Sequence, residues 1–429
     1  MKASLVTSFA LMASVLSGCQ SAVKVSDFGF DREDSTKFIQ AALDSGADRI
    51  VFDRRPEGPW VANRLRGRSN CEIVFEDGAE LVAKRGAFKG IGDTLLTFEC
   101  ASNVTIRGRG RLRMWKEDYQ KPPYQKAEWR HALALLACRD VLVEDMEFNE
   151  SGGDGIYVSI TSRPAPGFRT YCEDVTVRNV KCLRNNRQGI SVIAVDGLLV
   201  EGCELSDTCG TSPQAGIDFE PNGASEGLSN ILIRDCEFSG NRECGIDLAL
   251  VKLNGSTRDT SIVFENCRAF NNGKPSEIVC WNSPANAARG VVTFRNCRIG
   301  YPAGKEAFRL LENEDLPIRL ELANSFFREE GADGSVREFP FDAAWLAKLY
   351  PLAGKADATE YPKVLKPDWK GYTVVDARPG ELVDLLPNRF RYPFTLAFYA
   401  AQPGEAVLVA RQTIVGRGGR LEERTANVM

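Results

Sequence analysis

Asp218 and Glu220 stand two residues apart in the stretch QAGIDFEPN, residues 214–222, and a third carboxylate, Asp247, follows in GIDLAL. Alternation with Ile217 and Phe219 puts Asp218 and Glu220 on one face of a strand and the apolar pair on the other. Carboxylates gathered in this way supply acid–base chemistry. One protonates a leaving oxygen while another activates water or attacks, and their crowding raises at least one pKa. Hydrolysis of a glycosidic bond needs that pair.

The elements that must position these groups show as repeats. A first series reads NVTIRGRG (103–110), DVLVEDMEF (140–148), DVTVRNVKC (174–182), GLLVEGCEL (197–205), NILIRDCEF (230–238), SIVFENCRA (261–269) and VVTFRNCRI (291–299). Between these lies a second series, TLLTFEC, ALALLAC, GIYVSI, GISVIA, GIDFEP, GIDLAL and EIVCWN, whose Gly-Ile pairs at 155, 189, 216 and 245 are 34, 27 and 29 residues apart. Short strands at such a period describe a solenoid with two or three parallel strands per coil. The expected fold is all-β, a right-handed parallel β-helix over residues 27–335.

In a parallel β-helix, equivalent residues of successive coils lie one strand spacing apart, about 4.8 Å, so sequence columns become stacks. The outward column after each Ile holds Ala134, Tyr157, Ser191, Asp218 and Asp247. Two residues on stand Leu136, Ser159, Ile193, Glu220 and Ala249, with Trp281 as a later member. The residues before each Gly include His131, Asp154 and Gln188. Strand geometry gives backbone separations of roughly 5 Å for Asp218 to Asp247 and about 7 Å for Asp218 to Glu220.

The candidate catalytic set is therefore Asp218, Asp247, Glu220 and Asp154, with His131, Arg187, Gln188, Tyr157, Arg130 and Trp281 as substrate-binding candidates. His131, the sole histidine, falls one coil from Asp154. Arg130 and Arg187 have the guanidinium geometry that recognises a uronate or sulfate. Trp115, Tyr119, Tyr124 and Trp129 crowd a long loop before His131, where they suit either sugar stacking or packing over the solenoid.

The 54 basic and 58 acidic residues leave a net charge of −4 and no basic stripe, which gives no electrostatic reason to expect nucleic acid. Of 13 cysteines, Cys203, Cys236, Cys267 and Cys297 share a repeat position with Met146 and Val180. Interchange with Met and Val marks a small buried hydrophobe, so a stack of thiols is expected in place of disulfides. Residues 28–52 predict a helix starting near Asp34 or Ser35, with Phe38, Ile39, Ala42 and Leu43 on one face, covering the open end of the solenoid. After residue 335 the repeat stops. A short helix and linker are expected over 336–370, and a small β-sandwich-like domain over 371–429.

The capping helix followed by these repeats resembles the opening of the pectate-lyase-like β-helix superfamily, over roughly residues 27–325. The resemblance implies a carbohydrate-active enzyme, with inverting glycoside hydrolysis of a polysaccharide or oligosaccharide, acidic sugars included, as the main expectation and no cofactor required. The Asn-Thr-Asp, Asp-Asp and Gly-His-Gly stretches of polygalacturonases do not occur in that form. A Ca²⁺-dependent polysaccharide lyase or uronan epimerase is the alternative, with Asp218, Glu220 and Asp247 as Ca²⁺ ligands and Arg187 or Lys252 near the reacting carbon. A non-catalytic glycan-binding lipoprotein is the third. Residues 1–19 read as a signal peptide. Its Leu16-Ser17-Gly18-Cys19 resembles the bacterial lipobox, which implies lipidation of Cys19, and Gln20 implies the outer membrane, with plain secretion as the fallback. The expected protein is a monomer whose partners are a glycan and the outer membrane, reached through the lipid.

Overall fold

The computed structural model describes residues 21–274, 276–281, 288–303, 309–313, 318–323 and 325–340, together with the backbone of four strands between Leu382 and Arg424. The proposed signal peptide, Cys19 and residues 341–370 of the expected helix and linker lie outside the described residues, whereas Val336–Pro340, the expected start of that helix and linker, forms a strand antiparallel to Phe326–Glu330. Each coil contributes one strand to each of three sheets of 15, 11 and 9 strands, and successive coils pair in parallel.

The first repeat series supplies the long sheet and the turn that leaves it. In register, Val141, Val175, Leu198, Ile231, Ile262 and Val292 form one inward stack, each nearly or wholly buried. Each such side chain stabilises the fold by about 1.5–3 kcal/mol. The residue that follows each of these strands has positive φ: Asp145, Asn179, Gly202, Asp235, Asn266 and Asn296. Asn, Asp and Gly are the types that enter the left-handed region at low cost, so one residue turns the chain into the 11-stranded sheet. Next comes the stack Met146, Val180, Cys203, Cys236, Cys267 and Cys297, all buried. Its thiols donate to carbonyls of the long sheet, Cys267 Sγ to Ile233 O and Cys297 Sγ to Phe264 O at 3.4 Å each. Every cysteine described as to pairing is a free thiol.

Buried asparagines make the turn into the nine-stranded sheet. Asn241 Nδ2 donates to Leu205 O at 3.1 Å and its Oδ1 accepts the Thr208 amide at 3.0 Å, while Asn272 repeats the pattern with Phe238 O and the Asn241 amide. Stacked glycines then open the strands. A Cβ on Gly155, Gly189 or Gly216 would stand 2.7, 2.5 or 2.8 Å from the carbonyl oxygen of the next glycine in the stack. The Gly of each Gly-Ile pair is thus required by close approach of neighbouring coils.

On the outer face of the long sheet, Glu144, Arg178, Glu201, Arg234, Glu265 and Arg295 alternate in sign along one register row. Arg178 pairs with Glu144 at 2.7 Å and Arg295 with Glu265 at 3.2 Å. Such partly exposed pairs add a few tenths of a kcal/mol each. A slip by one coil would set like charges opposite one another, so the row also disfavours wrong register.

At the N-terminal end the helix Thr36–Asp44 buries Ile39, Ala42 and Leu43 against the first coil, and Gly46 follows it at positive φ. At the other end, strands Leu382–Leu385, Phe394–Gln402, Glu405–Val415 and Leu421–Arg424 pair antiparallel, and Glu405–Val415 joins Ile318–Ala323 of the long sheet. Of the sandwich-like domain expected over 371–429, these strand backbones are the described part.

Candidate active site

The nine-stranded sheet carries the carboxylates. Its pairing sets Thr97, Ala134, Tyr157, Ser191, Asp218 and Asp247 in one column. The register then continues to Glu277, not to Val279 two residues later. Aligning Ile278 with Ile246 places Trp281 in the Glu220 column, but Ile278 pairs with Leu248. That shift of two takes Trp281 out of the predicted column, puts Val279 opposite Ala249, and makes Glu277 a third acidic member of the Asp218 and Asp247 row.

Ile217 and Phe219 lie in the core, so Asp218 faces outward as alternation requires. It is nevertheless fully buried, and Asp247 is only 4 % exposed. Gln188 Nε2 donates to Asp218 Oδ2 at 2.6 Å, and Arg187 Nη1 donates to Gln188 Oε1 at 3.1 Å. Arg187 also forms a close ion pair with Glu220 and lies 3.4 Å from Glu128 Oε2. Gln188, proposed from sequence as a substrate contact, is wholly buried and spends its amide tying Asp218 to Arg187. It is a positioning residue.

Burial holds the Asp218 carboxyl well above the usual carboxylate range, and the charges of Asp247 and Glu220 push it further against the pull of Arg187. These surroundings bias the Asp218 carboxyl toward its protonated form. For Arg187, burial works against the charge, but Asp154, Glu220 and Asp218 outweigh it and hold the guanidinium above its ordinary value.

His131 and Asp154 meet as the columns predict. The Asp154 amide donates to His131 Nδ1 at 3.1 Å, and Asp154 Oδ2 lies 3.1 Å from the same nitrogen. One ring nitrogen cannot accept from the amide and donate to the carboxylate at once, so only one of these two contacts is a hydrogen bond in any one tautomer. The imidazole stacks on Tyr157 at 4.2 Å and 8°, and burial raises the Tyr157 phenol above its usual pKa. Neither Asp154 oxygen, nor Asp218 Oδ1, nor Ser191 Oγ has a hydrogen-bond partner among the described residues, although all three residues are buried. Such acceptors are costly unless something supplies a donor.

Arg130 is a correction. It is fully buried, donating from Nε to Phe88 O at 2.8 Å and from Nη2 to Gln125 O at 2.6 Å, with Tyr119 against its guanidinium. It braces the aromatic loop and is unavailable to a uronate or sulfate. Within that loop, Tyr119 is buried, Trp115 and Tyr124 pack on the core, and Trp129 is 44 % exposed. Glu128 escaped the sequence reading because it belongs to the loop and to no repeat column. Among the described residues no three His, Cys, Asp or Glu side chains are arranged to hold a metal ion; Asp218 and Glu220 are tied to Gln188 and Arg187.

A cleft of about 950 Å³ adjoins this cluster on its N-terminal side. Tyr157, His131, Ala134 and Thr97 line it, and it extends to residues of the capping helix.

Residues 125–299 match the family described as "Right handed beta helix region". The chain is similar to the SPbeta prophage-derived uncharacterized protein YorA of Bacillus subtilis (strain 168), 27% identical over 43% of this chain and 33% of that one. It is also similar to the uncharacterized protein YclG of the same organism, 32% identical over 51% of this chain and 42% of that one. The chain thus spans less than half the length of either relative. A solved iota-carrageenase from A. fortis is similar at a TM-score of 0.47 and 12% identity, covering 65% of this chain and 72% of that one. Three parallel sheets wound coil upon coil, with this family match across residues 125–299, give the chain the fold of a right-handed parallel β-helix.

Proposed function

We propose that the protein is a glycoside hydrolase acting on a polysaccharide or oligosaccharide. The observation that carries the reading is a fully buried carboxyl, Asp218, whose surroundings favour its protonated form, beside Asp247 in the next coil and Glu220 just past the end of its own strand. Asp218 supplies the proton for the departing glycosidic oxygen. Asp247 keeps it available by raising its pKa, as in carboxyl dyads that share one proton. Glu220, held by Arg187, is the base that draws a proton from the attacking water.

Inversion at the anomeric carbon, with a water between acid and base, is the course that the resemblance to the superfamily's hydrolases supports. In this scheme Arg187 and Gln188 orient the carboxylates, and His131 and Tyr157 contact the sugar on the cleft side. The test is release of reducing ends from a panel of glycans. The reading predicts release without an ultraviolet-absorbing unsaturated product, unchanged by chelator and abolished in Asp218→Asn. An unsaturated uronate product would transfer the site to lyase chemistry.

The lipobox reading is part of the same proposal: Cys19 is lipidated and holds the enzyme at the outer membrane. Cys19→Ala then moves the protein from the membrane to the soluble fraction. An unchanged distribution removes the anchor from the account.

A further inference from the structure

The cleft beside the carboxylates has a charge balance that bears on the substrate. Its lining includes Arg64 and Arg66 as cations and Asp44 and Glu99 as anions. Arg64 pairs with Asp93 at 3.0 Å and Arg66 with Glu99 at 3.6 Å. Exposed pairs of this kind exchange partners readily, but exchange leaves the matching carboxylate bare, so the net charge offered to a ligand stays near zero.

At the catalytic end the balance is acidic. Asp154, Asp218, Glu220 and Glu128 gather about the guanidinium of Arg187, and Asp247 lies beside Asp218 in the next coil. The two arginines that could have received a uronate or sulfate are committed, Arg187 to Glu220 and Glu128 and Arg130 to backbone carbonyls. A polyanion drawn across this floor would meet like charge.

The cleft offers something else. Trp129, 44 % exposed, is one of three large hydrophobic side chains exposed among the described residues, and it stands on the lining. From Arg66 to Tyr157 the column runs through Thr97 and Ala134, three strand spacings or about 14 Å. That length suits several sugar rings in file.

We propose that this cleft binds an uncharged stretch of glycan, with one pyranose ring stacked on Trp129, so that the substrate is a neutral polysaccharide. The inference rests on the hydrolase reading for the direction in which the chain runs, but its binding claim stands apart from turnover.

The test uses full-length Asp218→Asn, which holds substrate without cleaving it. The probe is an array of immobilised oligosaccharides: neutral gluco-, manno-, xylo-, arabino- and galacto-oligomers, oligogalacturonates, oligoalginates and sulfated carrageenan oligomers. The strongest ligand is expected to be neutral, with affinity little changed between low and physiological salt. Adding Trp129→Ala weakens it about tenfold, while the far-UV spectrum stays that of the parent. Tighter binding of an anionic oligomer, absence of binding to every glycan, or an unchanged affinity in the Trp129→Ala protein overturns the proposal. Neutral binding by Asp218→Asn without any reducing-end release by the wild type overturns the hydrolase reading and leaves this one standing.

Discussion

Exchanging Asp218 for Asn replaces a buried acid by a group of nearly the same shape that cannot ionise. Its nearest hydrogen bond, from Gln188 Nε2 at 2.6 Å, survives because the Asn oxygen still accepts. The consequence is electrostatic, and its sign follows from the raised pKa of Asp218 in the fold. An unfolded Asp loses its proton near pH 4, whereas the folded residue keeps it to higher pH, so between those points the folded protein holds one proton more than the unfolded chain. The favourable contribution is complete below about pH 4 and is lost as pH rises through the folded pKa, at about 1.4 kcal/mol of stability per pH unit. The Asn variant lacks this slope. Denaturant unfolding of both proteins at unit steps from pH 4 to 8, followed by circular dichroism and fluorescence, should show the variant gaining on the wild type by about 1.4 kcal/mol per unit. The gain levels off once the folded pKa is passed. Parallel stability curves would mean that Asp218 carries no extra proton, and its assignment as the acid would fail.

Removing the neighbouring charge should move the acid without abolishing it. In Asp247→Asn the alkaline limb of the pH–rate profile shifts to lower pH, because the charge that helps keep Asp218 protonated is gone, and turnover at neutral pH collapses; an unmoved limb would uncouple the two. Arg130→Met deprives the carbonyls of Phe88 and Gln125 of their donor and should lower stability by about 3 kcal/mol, read from the denaturation midpoint, with the pH–rate profile unmoved. Cys236→Val should cost less than about 1.5 kcal/mol, since Val180 fills the equivalent place two coils away; a larger loss would show that the thiol's bond to Val200 O matters beyond volume.

The parts of the fold set by one column of residue types were legible. The Gly-Ile pairs mark strand starts where only glycine fits. From those anchors the pairing of Ser191, Asp218 and Asp247 followed directly. Where the Gly anchor disappears, at EIVCWN, the Ile is ambiguous between two inward positions two residues apart. Both choices satisfy alternation, and the wrong one put Val279 in the place of Glu277 and Trp281 in the place of Val279.

Side-chain commitments were less legible. Alternation says that Asp218 faces outward but not that Arg187 and Gln188 of the preceding coil link to it, because that depends on side-chain reach between coils. Nor does it separate Arg130, drawn under a loop, from an arginine in solvent. Loop residues such as Glu128 and Trp129 belong to no column, and only the folded chain sets one against Arg187 and the other on the cleft.

In the proposed mechanism the buried acid and its partner carboxylates hydrolyse a glycosidic bond. Anomeric proton NMR of the wild type acting on a glycan that the Asp218→Asn protein binds tests it most directly. The account predicts new reducing ends that appear first as the inverted anomer, with none formed by Asp218→Asn. Equal turnover by that variant, or a wild type that binds the glycan and leaves it intact, would contradict it.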